Sequence, residues 1–248
     1  INYEMFLSRL EKTDGIYYDG NLYEGYPKLL GMHLDFHPID SLEVSLDRTF
    51  QFGGGPRSSS VSDVWEAFID PVSKDNTNPS CSTNCETGNQ QASINIKYNG
   101  KAFDKDFSFY GIYGGEDTVG ENYSMGNAVQ GFGIYLPFLT KKSSLRYELL
   151  DISNGWYVHH LYKNGYKNDG NVMGNWIGDT WGTNLAHYVH YLEINNRLNE
   201  VDFSTKFTYS VPYGVYESLE PEPFYGLDVS LGFEKTFLHK FRYLFEKR

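Results

Sequence analysis

The chain has 248 residues, a formal net charge of −11 at pH 7 and a sequence pI near 5.0. This acidic balance argues against nucleic-acid binding, which needs clustered Lys and Arg, so we expect no nucleic-acid partner. The mean hydropathy is −0.50 although 17% of the residues are aromatic. No apolar run approaches the roughly 18 residues that a transmembrane helix requires, which leaves strands as the elements that could face an apolar medium.

Residues 29–53 predict a β-hairpin with one apolar and one polar face. Leu30, Met32 and Leu34 alternate with Gly31 and His33 in the first strand, and the alternation resumes after a tight turn at 38–41. Successive side chains of a strand point to opposite faces. The polar face carries ionisable residues and must contact water, whereas the other face must contact a protein core or lipid.

Ten strands are predicted along the chain, several with the same clean alternation. Their predicted bounds are 3–12, 29–38, 42–53, 90–99, 103–114, 127–138, 144–153, 184–195, 201–211 and 225–237. The last of them is expected to end at Phe237. Phe241, Tyr243 and Phe245 alternate too, so an eleventh strand over 238–248 is the alternative, although it would break the up-down parity. Such regular alternation is typical of a closed antiparallel sheet.

The predicted connections alternate between short and long. Short turns are expected at 38–41, around Asn99-Gly100-Lys101, at 139–143 and at 196–200, and long connections at 13–28, 54–89, 115–126, 154–183 and 212–224. Tight periplasmic turns and long extracellular loops are the pattern of an outer-membrane barrel. A soluble β-sandwich is the alternative, but it has no reason to keep its long loops on one side. We therefore predict an all-β, antiparallel, up-and-down transmembrane β-barrel, with residues 1–248 as a single domain.

The two cysteines, Cys81 and Cys85, lie in the least patterned part of the chain. No His is near them in sequence, so a zinc site lacks obvious ligands, and we expect a disulfide that closes a small loop, with free thiols as the alternative. A disulfide would indicate a periplasmic or cell-surface setting. In the same connection, Ser62 to Ile69 predict a short helix capped by Ser62, which we expect to fill the barrel mouth.

The chain resembles the capsule assembly Wzi family. The similar segments are Leu10-Glu11, Gly31 to Leu34, Leu42 to Arg48, Gly53 to Gly55, Tyr113 to Asp117, Trp156 to Tyr162, Gly165-Tyr166 and Gly170 to Gly174. The resemblance implies an outer-membrane β-barrel larger than this chain, of which these ten strands are the C-terminal half. The chain begins with Ile and has no signal-peptide pattern, so we expect a mature, cropped or partial sequence. The resemblance further implies a lectin-like protein that attaches capsular or extracellular polysaccharide to the cell surface.

Connection 154–183 is dense in aromatic residues, which stack on the C–H faces of sugars while polar tips bond the hydroxyls. We expect glycan contacts from Trp156, Tyr157, His159, Tyr162, Tyr166, Trp176, Asp179 and Trp181. The alternative is that these side chains pack the connection into a lid. The expected partners are polysaccharide and outer-membrane lipid, and the protein is expected to be a monomer.

No enzyme motif is found in the sequence. It contains no Gly-x-Ser-x-Gly elbow, no His-Glu-x-x-His and no phosphate loop. His159 and His160 are adjacent and would point to opposite faces of a strand, so we expect no metal site there, and no cofactor. His33 and Asp35 share one face with His37, where a hydrogen-bonded network inside the barrel is the preferred interpretation. An outer-membrane hydrolase and a diffusion porin are the remaining alternatives.

Overall fold

One antiparallel sheet dominates the protein. The structure is a computed structural model that describes residues 1–69, 84–119, 124–153, 156, 159–168, 171–172, 186–198, 201–213, 224–233 and 238–245. Within these residues the elements are β1 (Asn2–Arg9), β2 (Thr13–Tyr18), β3 (Asn21–Gly25), β4 (Lys28–Ile39), β5 (Leu42–Phe52), α1 (Val61–Ile69), β6 (Gly88–Ala102), β7 (Lys105–Gly115), β8 (Asp117–Val119), β9 (Ser124–Gly126), β10 (Val129–Thr140), β11 (Ser143–Ile152), β12 (Lys167–Asn168), β13 (Asn171–Val172), β14 (Ala186–Leu198), β15 (Val201–Tyr213), β16 (Phe224–Phe233) and β17 (Leu238–Phe245).

The main sheet has eleven strands in the order β1-β4-β5-β6-β7-β10-β11-β14-β15-β16-β17. Every neighbouring pair is antiparallel, which confirms the predicted all-β antiparallel class. β1 and β17 are the edges of this sheet in the described part of the chain, so the sheet is not closed there. The small pairs β2-β3, β8-β9 and β12-β13 are hairpins that lie within the long connections.

The predicted alternation of faces is confirmed by the register of the sheet. Leu46 lies between Leu34 and Ile94 across three strands, and the next row along pairs Ser45 with Asp35 and Asn95. We call these the apolar face and the polar face. Leu46 is 42% exposed in the isolated chain, so the apolar face is not covered by a protein core of its own.

The long connections also lie at one end of the sheet, as predicted. β4 and β5 are joined through residues 40–41 and β6 and β7 through residues 103–104, whereas β5 and β6 are separated by residues 53–87. We call the two ends the short-turn end and the long-connection end.

The turn between β6 and β7 lies further along the chain than predicted. Asn99 and Gly100 belong to β6, and Phe103 and Asp104 form the turn with φ values of 52° and 61°. In this register Tyr98 lies opposite Phe109. A two-residue turn at Asn99-Gly100 would instead put Lys101 opposite Tyr98 and Lys105 opposite Ile94. Apolar pairing therefore prevails over the local Asn-Gly turn signal.

The main sheet has, among the described residues, one strand more than the ten predicted. β16 ends at Phe233, not at Phe237, and β17 returns antiparallel to it. The alternation that includes Phe241 and Tyr243 therefore belongs to an eleventh strand, paired with Val229 and Leu227.

Helix α1 is capped by Ser60, not by the predicted Ser62. The Ser60 hydroxyl accepts a hydrogen bond from the Asp63 amide at 3.1 Å, which is the usual N-cap geometry. The helix does not fill the barrel mouth but packs on the apolar face, where Ala67 joins Phe50 and Phe52 in a buried cluster. No helix among the described residues is long and apolar enough to cross a membrane.

Candidate functional site

The long-connection end of the polar face is covered by a segment that we call the rim segment, Trp156 and residues 159–166. Its middle pairs with β2, because the Tyr17 amide donates to the Leu161 carbonyl and the Lys163 amide to the Gly15 carbonyl, each at 2.9 Å. Two connections that are distant in sequence therefore form one unit.

Tyr162 is the most deeply buried aromatic residue of the rim segment. Its side chain is 1% exposed and packs with Ile16 and Leu161. The hydroxyl donates to the Gly53 carbonyl at 3.0 Å. Burial raises the pKa of Tyr162, so the phenol stays protonated and remains a hydrogen-bond donor.

The carbonyl that Tyr162 contacts belongs to a turn whose backbone favours glycine. Gly53, Gly54 and Gly55 have φ values of 68°, 82° and 54°, a region that favours glycine. A Cβ at Gly54 would lie 2.8 Å from the Ile16 Cδ1 atom. The glycine run therefore lets the chain leave β5 and pack directly under the β2-β3 hairpin.

Polar side chains of the sheet hold the rim segment over the polar face. Gln51 donates to the Gly165 carbonyl at 3.3 Å, and Asn89 donates to the Tyr166 hydroxyl at 3.1 Å. Gln51 and Asn89 are direct cross-strand partners on the polar face. Each amide is almost fully buried, so these hydrogen bonds fix where the rim segment lies.

Trp156, at the N-terminal end of the rim segment, is partly buried. Its carbonyl accepts a hydrogen bond from Gln91. The indole packs beside a small apolar cluster that includes Val129 and Ile152. A Cβ at Gly114 would lie 2.7 Å from the Ser93 Cβ atom and 3.1 Å from the Trp156 ring, so the glycine makes room for both the neighbouring strand and the indole.

Glu86, His159 and His160 form a cluster behind the rim segment. The Glu86 carboxylate lies 3.3 Å from Nε2 of His159 and 2.9 Å from Nε2 of His160. Arg57 donates to the Glu86 carbonyl at 2.8 Å and to the Tyr17 carbonyl at 2.7 Å. This network connects the Gly53–Gly55 turn, β2 and the rim segment.

The expectation that His159 and His160 point apart was wrong, because they lie in a turn and not in a regular strand. Their side-chain nitrogens and a Glu86 oxygen fall within 4.8 Å of one another, a spacing that could hold a metal ion. However, Nδ1 of His159 accepts a hydrogen bond from the Leu161 amide at 3.2 Å. The neutral ring therefore carries its proton on Nε2, facing Glu86. The Nε2–H group of His159 can donate a hydrogen bond to the Glu86 carboxylate, whereas a protonated nitrogen cannot bind a metal ion.

His159 is held neutral. Its burial, and next the neighbouring His160 and Arg57, lower its pKa well below the ordinary value. A neutral imidazole that bonds a carboxylate through one nitrogen and a backbone amide through the other is a positioning element of the rim segment.

Further along β4 from the long-connection end, His33 on the polar face contacts two carboxylates. Its ring nitrogens lie 2.6 Å from Asp47 and 2.7 Å from Asp35. Asn95 donates to Asp47 at 2.5 Å and Ser45 to Asp35 at 3.3 Å. This geometry is a hydrogen-bonded network on the polar face of the sheet.

The structure brings together four of the eight predicted glycan-contact residues. Trp156, His159, Tyr162 and Tyr166 all belong to the rim segment, and the last three are almost fully buried. Tyr157, Trp176, Asp179 and Trp181 lie outside the described residues.

Sequence reasoning missed the residues that hold the rim segment: Arg57, Glu86, Gln51, Asn89 and Gln91. The alternation of β5 and β6 placed the three amides on the polar face, but no spacing in the sequence connects Arg57 with Glu86. Cys85 is disulfide-bonded. Cys81 lies outside the described residues, so the predicted pairing of the two remains a prediction.

An antiparallel sheet with one apolar and one polar face, and with its long connections at one end, has the organisation of the outer-membrane β-barrel class. The family model for capsule assembly protein Wzi matches residues 1–209 of the chain. The chain belongs to this family, and its location is the outer membrane.

Two individual proteins are similar to the chain. A solved structure of Wzi, an outer membrane protein involved in group 1 capsule assembly in Escherichia coli and a carbohydrate-binding β-barrel, matches with a TM-score of 0.63 and 21% identity, over 92% of this chain and 47% of that one. An uncharacterized 55.8 kDa protein in the cps region of Klebsiella pneumoniae is 36% identical over 103 residues, which are 40% of this chain and 19% of that protein. The chain thus spans about half the length of the solved structure.

Proposed function

We propose that this protein binds capsular or extracellular polysaccharide at its long-connection end and attaches it to the cell surface, without catalysis. The observation that carries the proposal is the rim segment, an aromatic strap fixed across the polar face in a member of a capsule assembly family. The similar solved barrel is described as carbohydrate-binding, which supports the same ligand class.

The residues of the aromatic connection divide into two roles in this proposal. Tyr162, Tyr166 and His159 anchor the rim segment, because each is almost fully buried and hydrogen-bonded to the scaffold or to its own backbone. Trp156 is only partly buried, in contrast to these anchors. We assign glycan contact to Trp156 and, from the sequence, to Tyr157, Trp176, Asp179 and Trp181.

The chemistry of this set suits a sugar chain. An indole or phenol ring stacks on the C–H face of a pyranose, and a carboxylate such as Asp179 accepts hydrogen bonds from its hydroxyls. A rigid platform reduces the ordering cost of binding, and the buried anchors of the rim segment supply that rigidity.

Capsule retention by cells tests the proposal. A double Trp156→Ala, Trp176→Ala variant should assemble in the outer membrane and release capsule into the medium, whereas either single variant should have a weaker effect. Each lost stacking contact is worth on the order of 1 kcal/mol beyond buried area. The control is Phe103→Ala, which removes a fully exposed aromatic side chain at the short-turn end and should leave retention unchanged.

Normal assembly of the double variant with capsule retention equal to the parent would contradict the proposal. If the same variant instead raised ion conductance across a planar bilayer, the channel interpretation would replace it.

A further inference from the structure

Helix α1 presents three different faces to its surroundings. Val64, Ala67 and Phe68 lie toward the apolar face of the sheet, where Ala67 is fully buried. Ser62 and Glu66 are exposed and polar. The third stripe, which takes Val61, Trp65 and Ile69 at i, i+4 and i+8, is apolar and also exposed, at 85%, 64% and 63%.

An exposed apolar stripe beside the sheet-facing side of a packed helix needs an apolar medium of its own. The medium is identified by the sheet: α1 sits on the apolar face, which in an outer-membrane protein faces lipid. A helix with one stripe toward the sheet, one toward lipid and a polar stripe toward water has the properties of an interfacial helix at headgroup level. Because α1 follows β5 at the long-connection end, that interface is the outer leaflet.

A groove of about 460 Å³ runs between α1 and the neighbouring strands. Its walls are apolar side chains, among them Met5, Leu7 and Met32 from the sheet and Trp65 and Phe68 from the helix. The groove is continuous with the lipid-facing surface, since Leu7 lies on the same face and is 66% exposed. Its volume is within the range of small-ligand sites.

Basic residues lie where the groove meets the long-connection end of the sheet. Lys28 belongs to the groove lining, and its Nζ atom lies 5.9 Å from the centre of the Phe52 ring. Arg9 is its cross-strand partner on the apolar face, with the guanidinium 4.8 Å over the Tyr26 ring. Two cations side by side at the rim of an apolar face, in a chain of net charge −11, are complementary to an anionic lipid headgroup.

We propose that this groove binds an acyl chain of a phosphate-bearing outer-leaflet lipid, with Lys28 and Arg9 holding the headgroup phosphate. Trp65 then lies against the chain at the level of the headgroups, where aromatic belts of membrane proteins lie. The site would fix α1, and through it the start of connection 53–87, to the bilayer surface. The inference rests on the outer-membrane location and not on polysaccharide binding, so the two proposals can fail separately.

Quenching of tryptophan fluorescence by brominated lipids tests the site. The full chain is reconstituted into vesicles that contain dibromo-phosphatidylglycerol or dibromo-phosphatidylcholine, and the Trp65 signal is the difference between the parent and a Trp65→Phe variant. We expect the Trp65 signal to be quenched at lower mole fractions of phosphatidylglycerol than of phosphatidylcholine. Lys28→Gln or Arg9→Gln should each reduce that preference about fivefold, the effect of one basic residue at an anionic membrane surface.

Lys105→Gln is the matched control, because Lys105 pairs with Ala102 on the same face but at the short-turn end. It should keep the preference of the parent. Two results would overturn the proposal. If Trp65 is not quenched, α1 lies in water, and if both lipids quench it equally with no effect of Lys28→Gln or Arg9→Gln, the surface contacts bulk lipid without a site. Capsule retention by the Lys28→Gln variant should equal that of the parent.

Discussion

Removing the Tyr162 hydroxyl should loosen the rim segment without disturbing the sheet. In Tyr162→Phe the ring still fills the space beside Ile16, so no cavity forms, but the Gly53 carbonyl loses its buried donor. An unsatisfied buried acceptor costs about 1–3 kcal/mol. The equilibrium between the closed and the locally opened rim segment should therefore shift about 5- to 150-fold toward the opened form.

Amide hydrogen exchange measures this shift directly. The Tyr17 and Lys163 amides bond across the contact between β2 and the rim segment, so their protection should fall by the same factor. Amides in the middle of β5 and β6 should keep their protection. Tyr23→Phe is the control, because this ring belongs to the same hairpin but is 37% exposed.

Unchanged protection at Tyr17 and Lys163 in Tyr162→Phe would refute the assignment of Tyr162 as an anchor. An equal loss of protection in Tyr23→Phe would show that the hairpin is generally labile, which would contradict the same assignment.

Three further predictions follow from the buried histidine, the two faces of the sheet and the cysteines. Because the pKa of His159 is lowered by burial, the closed rim segment binds fewer protons than the opened one. The stability of the closed rim segment should be complete above the ordinary histidine pKa of about 6.5 and should fall as the pH drops below it. Amide hydrogen exchange, corrected for intrinsic rates, should show this loss of protection in the parent. A similar loss at low pH in His159→Gln would contradict the role of His159. Leu46→Arg should impair membrane assembly, because a lipid-facing Arg costs roughly 2–4 kcal/mol. Asn95→Arg places a cation beside the Asp47 carboxylate on the polar face and should assemble. Equal assembly defects in the two variants would favour a soluble fold. Protein taken from the cell surface should show no free thiol, with a mass that fits a Cys81–Cys85 bond, and titration of two thiols would rule this pairing out.

The two-faced sheet could be predicted from the sequence because it depends on a local period. Alternation places the apolar residues of each strand on one face, and pairing of these faces between strands brings Leu34, Leu46 and Ile94 together. The spacing of the strands determines which connections are long. The turn after β6 was misplaced because the Asn99-Gly100 signal is local, whereas the register is decided by apolar pairing along the whole strand.

The rim segment was only partly predictable. Aromatic density drew attention to residues 156–166, but the partners of Tyr162 and His159 lie far away in sequence, at Gly53 and Glu86. The convergence of two adjacent histidines required a turn that no periodicity shows. The position of α1 was mispredicted because the sequence does not show which of its two apolar stripes packs on the sheet.

Mapping a bound polysaccharide by hydrogen exchange is the most direct test of the central claim, that the long-connection end binds polysaccharide. The protein in detergent micelles is compared with and without purified capsular polysaccharide from the same strain. We predict that protection rises in residues 159–166 and in β2 and β3, while the turns at 40–41 and 103–104 do not change. Binding that protects the short-turn end, or that leaves the rim segment unchanged, would contradict the account.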